Sequence, residues 1–346
     1  MSLEIRARGS ALAHADEQTI GRRAWPVCSP RGTNVPRWAV ILAGGDGRRL
    51  LPLTRRLAGD DRPKQFCKLL GTGTLLEQTL KRVSRVVDPN HIFSVVTNGH
   101  ETYFAGLPGA RLIQPCNRGT APAILYSLLR LHKQNPQATV GFFPSDHHFA
   151  DDEAFAVCAR EAFEFAEIHR DLVVLLGIKP SHAETGYGWI EPGEPMMASG
   201  SGLIFRVRGF WEKPSAATAT ELIRRGCFWN SFVIIGRIEA LLNLIEHAIP
   251  HMFQKFQDAA PALFTSDEDA SILKVYQSIP SCSFSKDVLC SYPLKLAVFC
   301  SKALEWTDVG EVDRALALMG SESGNLPDRL EDYSEPAVLS GVAARG

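Results

Sequence analysis

Gly44-Gly45-Asp46-Gly47-Arg48-Arg49, with Arg62-Pro63-Lys64 close behind it, is the densest run of chemistry-bearing residues in the chain. It follows a short apolar run, Val40-Ile41-Leu42-Ala43, that reads as a buried strand. Glycines let the backbone turn sharply and approach a ligand closely, and their successive amides form a concavity that accepts anions. Arginine and lysine just beyond such a turn neutralise phosphate oxygens through charge-assisted hydrogen bonds. Strand, glycine turn and fixed cations together suit a nucleoside triphosphate. The two familiar glycine fingerprints do not fit. A P-loop needs Lys-Ser/Thr directly after the second glycine of G-x-x-x-x-G. A dinucleotide loop needs a third glycine, whereas Gly45-x-Gly47 runs on into Arg48-Arg49-Leu50. By itself, a glycine turn after a strand is also what an ordinary β-turn looks like.

Further polar groups recur at the ends of apolar runs. In Phe142-Phe143-Pro144-Ser145-Asp146-His147-His148, Asp146 closes a predicted strand. A carboxylate there suits Mg²⁺, a hard cation that favours oxygen ligands, and equally suits a turn or helix cap. His147 and His148 read either as ligands or as hydrogen-bonded loop histidines. Asp308, in Glu305-Trp306-Thr307-Asp308-Val309-Gly310, precedes a predicted helix and alone reads as its N-cap. Residues 114–122 (Gln-Pro-Cys-Asn-Arg-Gly-Thr-Ala-Pro) offer the donors and acceptors that a base edge requires, with Thr120 also suited to an N-cap. In Phe210-Trp211-Glu212-Lys213-Pro214, Lys213 is a point charge suited to a phosphate, and a surface Lys-Pro turn is the alternative. Tyr187 and Trp189, inside Glu184-Thr185-Gly186-Tyr187-Gly188-Trp189-Ile190-Glu191, are of types more often found in a core.

Arg49-Leu50 with Pro52-Leu53, and then Arg62-Pro63-Lys64-Gln65-Phe66, resemble the sugar-1-phosphate nucleotidyltransferases, whose signature is G-G-x-G-x-R-L-x-P-L followed by R-P-K. The form R-P-K-Q-F looks most like the mannose-1-phosphate guanylyltransferase branch. The segments at 114–122, 142–147, 184–190, 211–214, 229–231 and 306–310 follow in that family's order, so the resemblance covers about four fifths of the chain. It implies transfer of a nucleotidyl group from an NTP, GTP first, to a sugar 1-phosphate, mannose 1-phosphate first, with release of pyrophosphate. It implies Mg²⁺ on Asp146 and Asp308, Arg49 and Lys64 on the triphosphate, and Lys213 on the attacking phosphate. Nucleotide contacts would come from Ala43, Gly44, Gly45, Gly47, Arg48, Gln114, Asn117, Gly119, Thr120 and Ala121. Sugar-phosphate contacts would come from Glu184, Gly188, Glu212, Lys213 and Asn230. The chain departs from the branch twice. Its W-N-S-G-M-F becomes Trp229-Asn230-Ser231-Phe232-Val233-Ile234, and its S-I-D-Y-A-V-M-E becomes a segment with Ser285 at the acidic position. Both changes lie on the sugar half, which keeps open another NTP and sugar pair, or a non-catalytic nucleotide-sugar sensor.

These groups need a scaffold, and the apolar pattern supplies one. Strands are predicted at 38–43, 92–97, 139–143, 172–178 and 203–208, and helices at 74–87, 120–133, 152–169, 216–225, 237–249 and 310–319. Alternation of this kind predicts an α/β fold: a Rossmann-like mixed, mostly parallel sheet flanked by helices. It is the nucleotide-diphospho-sugar transferase fold that the resemblance implies. Ligands of such sheets gather at the carboxyl ends of the strands. The expected organisation is a mobile extension over 1–36, the nucleotidyltransferase domain over 37–319 and a loose tail over 320–346. No hexapeptide repeat points to an appended β-helix. A net charge of −1 gives no reason to expect nucleic acid as a partner. No apolar run approaches membrane-spanning length. Eight cysteines without a C-x-x-C pair read as reduced thiols of a cytoplasmic protein. Oligomeric state, a homo-oligomer included, is left open.

Overall fold

The computed structural model describes residues 35–107 and 109–323. The extension expected over 1–36 and the tail expected over 320–346 therefore lie largely outside the described residues. In chain order the first elements are β1 (Arg37–Leu42), α1 (Leu51–Ala58), α2 (Leu75–Val83), β2 (Ile92–Thr97), α3 (Glu101–Phe104), β3 (Ala110–Gln114) and α4 (Thr120–Gln134). Then come β4 (Thr139–Pro144), β5 (His147–Phe149), α5 (Asp152–Ile168), β6 (Val173–Ile178), β7 (Gly188–Ala198), β8 (Leu203–Glu212) and α6 (Ala216–Arg224). The chain continues through β9 (Phe228–Arg237), α7 (Ile238–Ala248), α8 (Pro250–Ala259), α9 (Glu268–Ser278), β10 (Leu296–Cys300), β11 (Trp306–Asp308) and α10 (Val312–Ser323).

The main sheet has nine strands in the order β3-β2-β1-β4-β9-β6-β10-β8-β7. Only β8 and β9 run against the common direction. Both faces are covered, and β1 shows why its sequence is apolar without a break. Trp38 and Val40 enter one core with α4, α7, α8 and α9, while Ala39 and Ile41 enter a second core with α2, α3, α5 and α6. Each fully buried large side chain contributes about 1.5–3 kcal/mol relative to exposure. Helix α2 starts where Thr74 and Glu77 form a reciprocal capping box. Its regular part ends at Val83, and 84–87 finish as turns. The strand expected at 203–208 runs on to Glu212 because it pairs with β7 along a long hairpin. Helix α10 extends past 319 to Ser323. No helix of the described residues is long and apolar enough to cross a membrane.

Two small features position the chemistry. A third apolar cluster, including Leu50, Leu53, Leu75, Val309 and Ala315, packs the glycine loop and α1 against the start of α10. A two-stranded ribbon pairs β5 with β11, with Asp308 opposite His147. That ribbon brings a carboxylate from the far end of the chain beside Asp146.

Candidate active site

The carboxyl ends of β1 and β4 open into a cavity of about 420 Å³. Its nucleotide end is the glycine loop. A Cβ on Gly44 would fall 2.2 Å from Gln114 Nε2 and 2.9 Å from Thr97 Oγ1, so only glycine fits there. Gly47 has φ +63°, the left-handed region that glycine enters without strain. Gly45 has no neighbour within 4 Å of a Cβ, lines the cavity and is exposed. Packing does not require a glycine at that position. The loop is braced from beneath by Gln65, whose Nε2 donates to Ala43 O at 2.9 Å and to Gly45 O at 2.7 Å.

Lys64 joins the two acids. Its Nζ lies 2.9 Å from Asp146 Oδ2 and 3.6 Å from Asp308 Oδ1, and donates to Val309 O at 2.6 Å. Burial opposes the charge on Lys64, but both carboxylates outweigh it and hold its pKa above the ordinary lysine value. Burial likewise opposes ionisation of Asp308. His147, Lys64, Arg314 and Arg49 overcome it and keep the Asp308 carboxyl below the usual carboxylate range. The donor set fits Mg²⁺. That ion binds through one or two carboxylates, keeps several waters and takes substrate phosphates as further ligands. No cluster of three or more His, Cys, Asp or Glu suited to a metal occurs among the described residues. Two carboxylates leave room for water and phosphate oxygens as further ligands. Arg49 lines the cavity and is bonded to Glu311, just ahead of α10.

The loop at 114–121 is clamped to the segment 276–284. Both ends of the Gln114 carboxamide are engaged: Nε2 donates to Thr97 Oγ1 at 2.8 Å, and Oε1 accepts from the Tyr276 hydroxyl at 3.2 Å. Asn117 Oδ1 accepts from Gly119 N at 2.9 Å, and a Cβ on Gly119 would fall 2.3 Å from Cys282 O. Thr120 does not cap α4. Gly119 holds the cap position, and the Thr120 hydroxyl accepts from Phe284 N at 2.8 Å.

At the other end of the cavity, Gly188 pairs with Glu212 across the β7–β8 hairpin. A Cβ on Gly188 would meet Glu212 Oε2 at 2.9 Å and Asn230 Cβ at 3.3 Å, so the glycine keeps these groups close. Burial raises the Glu212 pKa, partly offset by Lys213 and by a hydrogen bond with the Ser285 side chain. Asn230 Oδ1 accepts from Phe232 N at 3.1 Å. Lys213 (φ +51°) and Phe232 (φ +59°) both sit in the left-handed region, where a non-glycine residue costs about 1–3 kcal/mol.

A nucleotidyl transferase family profile matches residues 38–320. This chain belongs to the nucleotidyl transferase family. It is 31% identical over 293 residues to mannose-1-phosphate guanylyltransferase 2 of Escherichia coli O157:H7, covering 80% of this chain and 59% of that protein. It is 31% identical over 283 residues to the alginate biosynthesis protein AlgA of Pseudomonas aeruginosa, covering 78% of this chain and 56% of that one. The chain thus spans less than two thirds of the length of these curated relatives. Among solved structures, one described as mannose-1-phosphate geranyltransferase from Thermus thermophilus superimposes with a TM-score of 0.68 at 31% identity, over 80% of this chain and 77% of that one. A solved UDP-glucose pyrophosphorylase shares the mixed α/β fold, with a TM-score of 0.51 at 11% identity over 83% of this chain and 98% of that one.

The cavity is lined by Gly44, Gly45, Gly47, Arg49, Lys64, Gln114, Asn117, Gly119, Thr120, Asp146, Gly188, Glu212, Lys213, Asn230 and Asp308, all singled out by sequence. Four other candidates stand outside that lining. Arg48 turns to solvent near Asp46, at 3.6 Å. Ala43 continues β1, with its N–H donating to Val95 O at 2.8 Å. Ala121 is fully buried, with its N–H donating to Cys282 O at 3.2 Å. The Glu184 carboxylate folds back to accept from Gly186 N at 2.7 Å and lies 3.8 Å from Arg314, so it shapes the loop before β7. Gln65 and Tyr276 are not among the site residues expected from the sequence, whereas Phe232 and Ser285 stand out there as departures on the sugar half. For Phe232 and Ser285 the departure from the family pattern was the available signal; Gln65 and Tyr276 act through hydrogen bonds that only the fold creates.

Proposed function

We propose that this chain transfers a nucleotidyl group from a nucleoside triphosphate to a sugar 1-phosphate and releases pyrophosphate, with GTP and mannose 1-phosphate as the leading pair. The observation that carries the reading is one cavity with Lys64 between Asp146 and Asp308 at one end and Lys213, Glu212 and Asn230 at the other. The names of the relatives support the choice of pair, and no further group need be supplied by the protein as nucleophile. The attacking atom is a phosphate oxygen of the sugar 1-phosphate, already ionised near neutral pH. Catalysis then consists of positioning and charge neutralisation.

Asp146 and Asp308 would hold Mg²⁺, which when bound withdraws charge from phosphate oxygens. The glycine loop amides and Arg49 face the triphosphate. Lys64 stabilises the charge that grows on the departing pyrophosphate. Lys213 holds the attacking phosphate, and Glu212 and Asn230 orient the sugar hydroxyls. A cytoplasmic setting follows from the supply of NTP. A sister specificity is the second reading, because Phe232 and Ser285 both fall at the sugar end.

The test is pyrophosphate release in Mg²⁺ across GTP, UTP, dTTP, ATP and CTP against mannose, glucose, galactose and fucose 1-phosphates. A dominant signal for GTP with mannose 1-phosphate is expected. Another dominant pair would move the specificity and keep the reaction. Silence across the grid would reject turnover in favour of a sensor.

A further inference from the structure

Phe232 combines features that an ordinary core phenylalanine does not. It lies in β9 with φ +59°, and a bulky residue at positive φ is a true outlier. Of the non-glycine residues at positive φ among the described residues, Lys213, Phe232 and Phe264, the first two line the active-site cavity. Such outliers persist where the surroundings over-determine them, and they concentrate at ligand sites.

The surroundings here are explicit. The β6–β9 register shifts between Leu175 and Gly177: Leu175 pairs with Ile234, but Gly177 pairs with Asn230. Residues 231–233 therefore form a bulge opposite Leu176, and a bulge re-aims a side chain. The bulge is pinned from three sides. The Ser231 hydroxyl, fully buried, donates to Leu176 O at 2.6 Å. Val233 N donates to Ser231 Oγ at 3.3 Å, and Phe232 N donates to Asn230 Oδ1 at 3.1 Å. The half-buried Phe232 side chain packs on the main core, and Phe232 lines the cavity together with Gly188, Glu212, Asn230 and Ser285. Glycine would adopt this backbone freely. The chain instead tolerates strain to keep an aromatic ring beside the sugar-orienting groups.

We infer that Phe232 is a specificity-determining residue: its ring is a fixed apolar wall that limits the size of the substituents on the sugar 1-phosphate. This rests on the nucleotidyl transfer reading above. A 2-acetamido hexose 1-phosphate is the bulky probe of that wall, and the unsubstituted hexose 1-phosphate the compact one.

The test uses the full chain with Phe232→Gly and Phe232→Asn. Both remove the ring, and both residues accept the left-handed backbone. For each, kcat/KM is measured with mannose 1-phosphate and with its 2-acetamido counterpart, together with KM for the NTP and the affinity of both sugar phosphates by calorimetry. The preference for the unsubstituted sugar is expected to fall about tenfold or more in both variants, while KM for the NTP holds. An unchanged preference would overturn the inference alone. Parallel losses for NTP and sugar, or failure of both variants to fold, would make Phe232 a structural residue and overturn it too. A wild-type chain that neither binds nor turns over a sugar 1-phosphate would overturn the reading beneath it.

Discussion

The nucleotide end of the cavity comes from two loops, 44–65 and 114–120, closed by Asp146 and by Asp308 from the distant ribbon. The sugar end is assembled from separate segments: the start of β7, the end of β8, the bulge in β9 and the π-helical turn Phe284–Leu289. The first is backbone chemistry, with glycines at 44 and 119 where a Cβ would clash. The second depends on strand register and on non-glycine residues held at positive φ. A site made of main chain and paired charge tolerates little change. A site made of side chains on a register shift can be retuned one residue at a time. The departures from the guanylyltransferase pattern fall in the second region.

The comparison breaks most visibly if the charged end is dispensable. Asp308→Ala should lower pyrophosphate release in Mg²⁺ at least ~100-fold. Folding should suffer far less, because Lys64 keeps Asp146 and Val309 O as partners. Near-normal turnover would remove the two-carboxylate assignment. Lys64→Ala comes next. It leaves two carboxylates facing each other without their shared cation, and should slow both pyrophosphate release and the reverse reaction by about 10–100-fold. Unchanged kinetics in both directions would take Lys64 out of the triphosphate site.

The same division explains what the sequence revealed. β1, β4, β6 and α4 were legible because long apolar runs set them, and the glycine loop and Asp146 follow such runs directly. β9 is not legible as a strand, because Asn230-Ser231 interrupts its apolar pattern at the bulge. β5 and β11 are three-residue strands, too short for any periodicity, yet they alone set Asp308 beside His147. Glu184 carried a resemblance but not a direction, and its carboxylate turned inward to Gly186. The helices α8 and α9 went unassigned although both pack on the core through Phe256 and Tyr276. The motifs show which residue types are present; tertiary hydrogen bonds decide which of them line the cavity.

A sharper probe separates ligand approach from packing within the glycine loop. At Gly44 a methyl group collides with Gln114, so a substitution there confuses the two effects. At Gly45 it meets nothing within 4 Å. Gly45→Ala should therefore leave the melting temperature unchanged or slightly raised, through a less flexible unfolded chain. Its KM for the NTP should rise about tenfold as the added methyl obstructs the phosphates. An unaltered KM would mean that the triphosphate does not lie over this turn.

The smallest effect tests the sugar end. Glu212 has its pKa raised by burial, with Lys213 and Ser285 opposing the rise. An acid whose folded pKa exceeds its unfolded value binds more protons when folded, so stability declines as pH rises from the unfolded pKa through the folded one. Glu212→Gln removes that decline. Near pH 7 the variant should melt about 2 °C above wild type, and the difference should vanish below about pH 4, where the carboxyl is protonated in both states. The same substitution should weaken sugar 1-phosphate binding and leave NTP binding alone. A variant that gains stability yet keeps full sugar affinity would show that Glu212 is merely buried. A variant that loses both stability and sugar affinity would show that its charge is needed to build the site as well as to fill it.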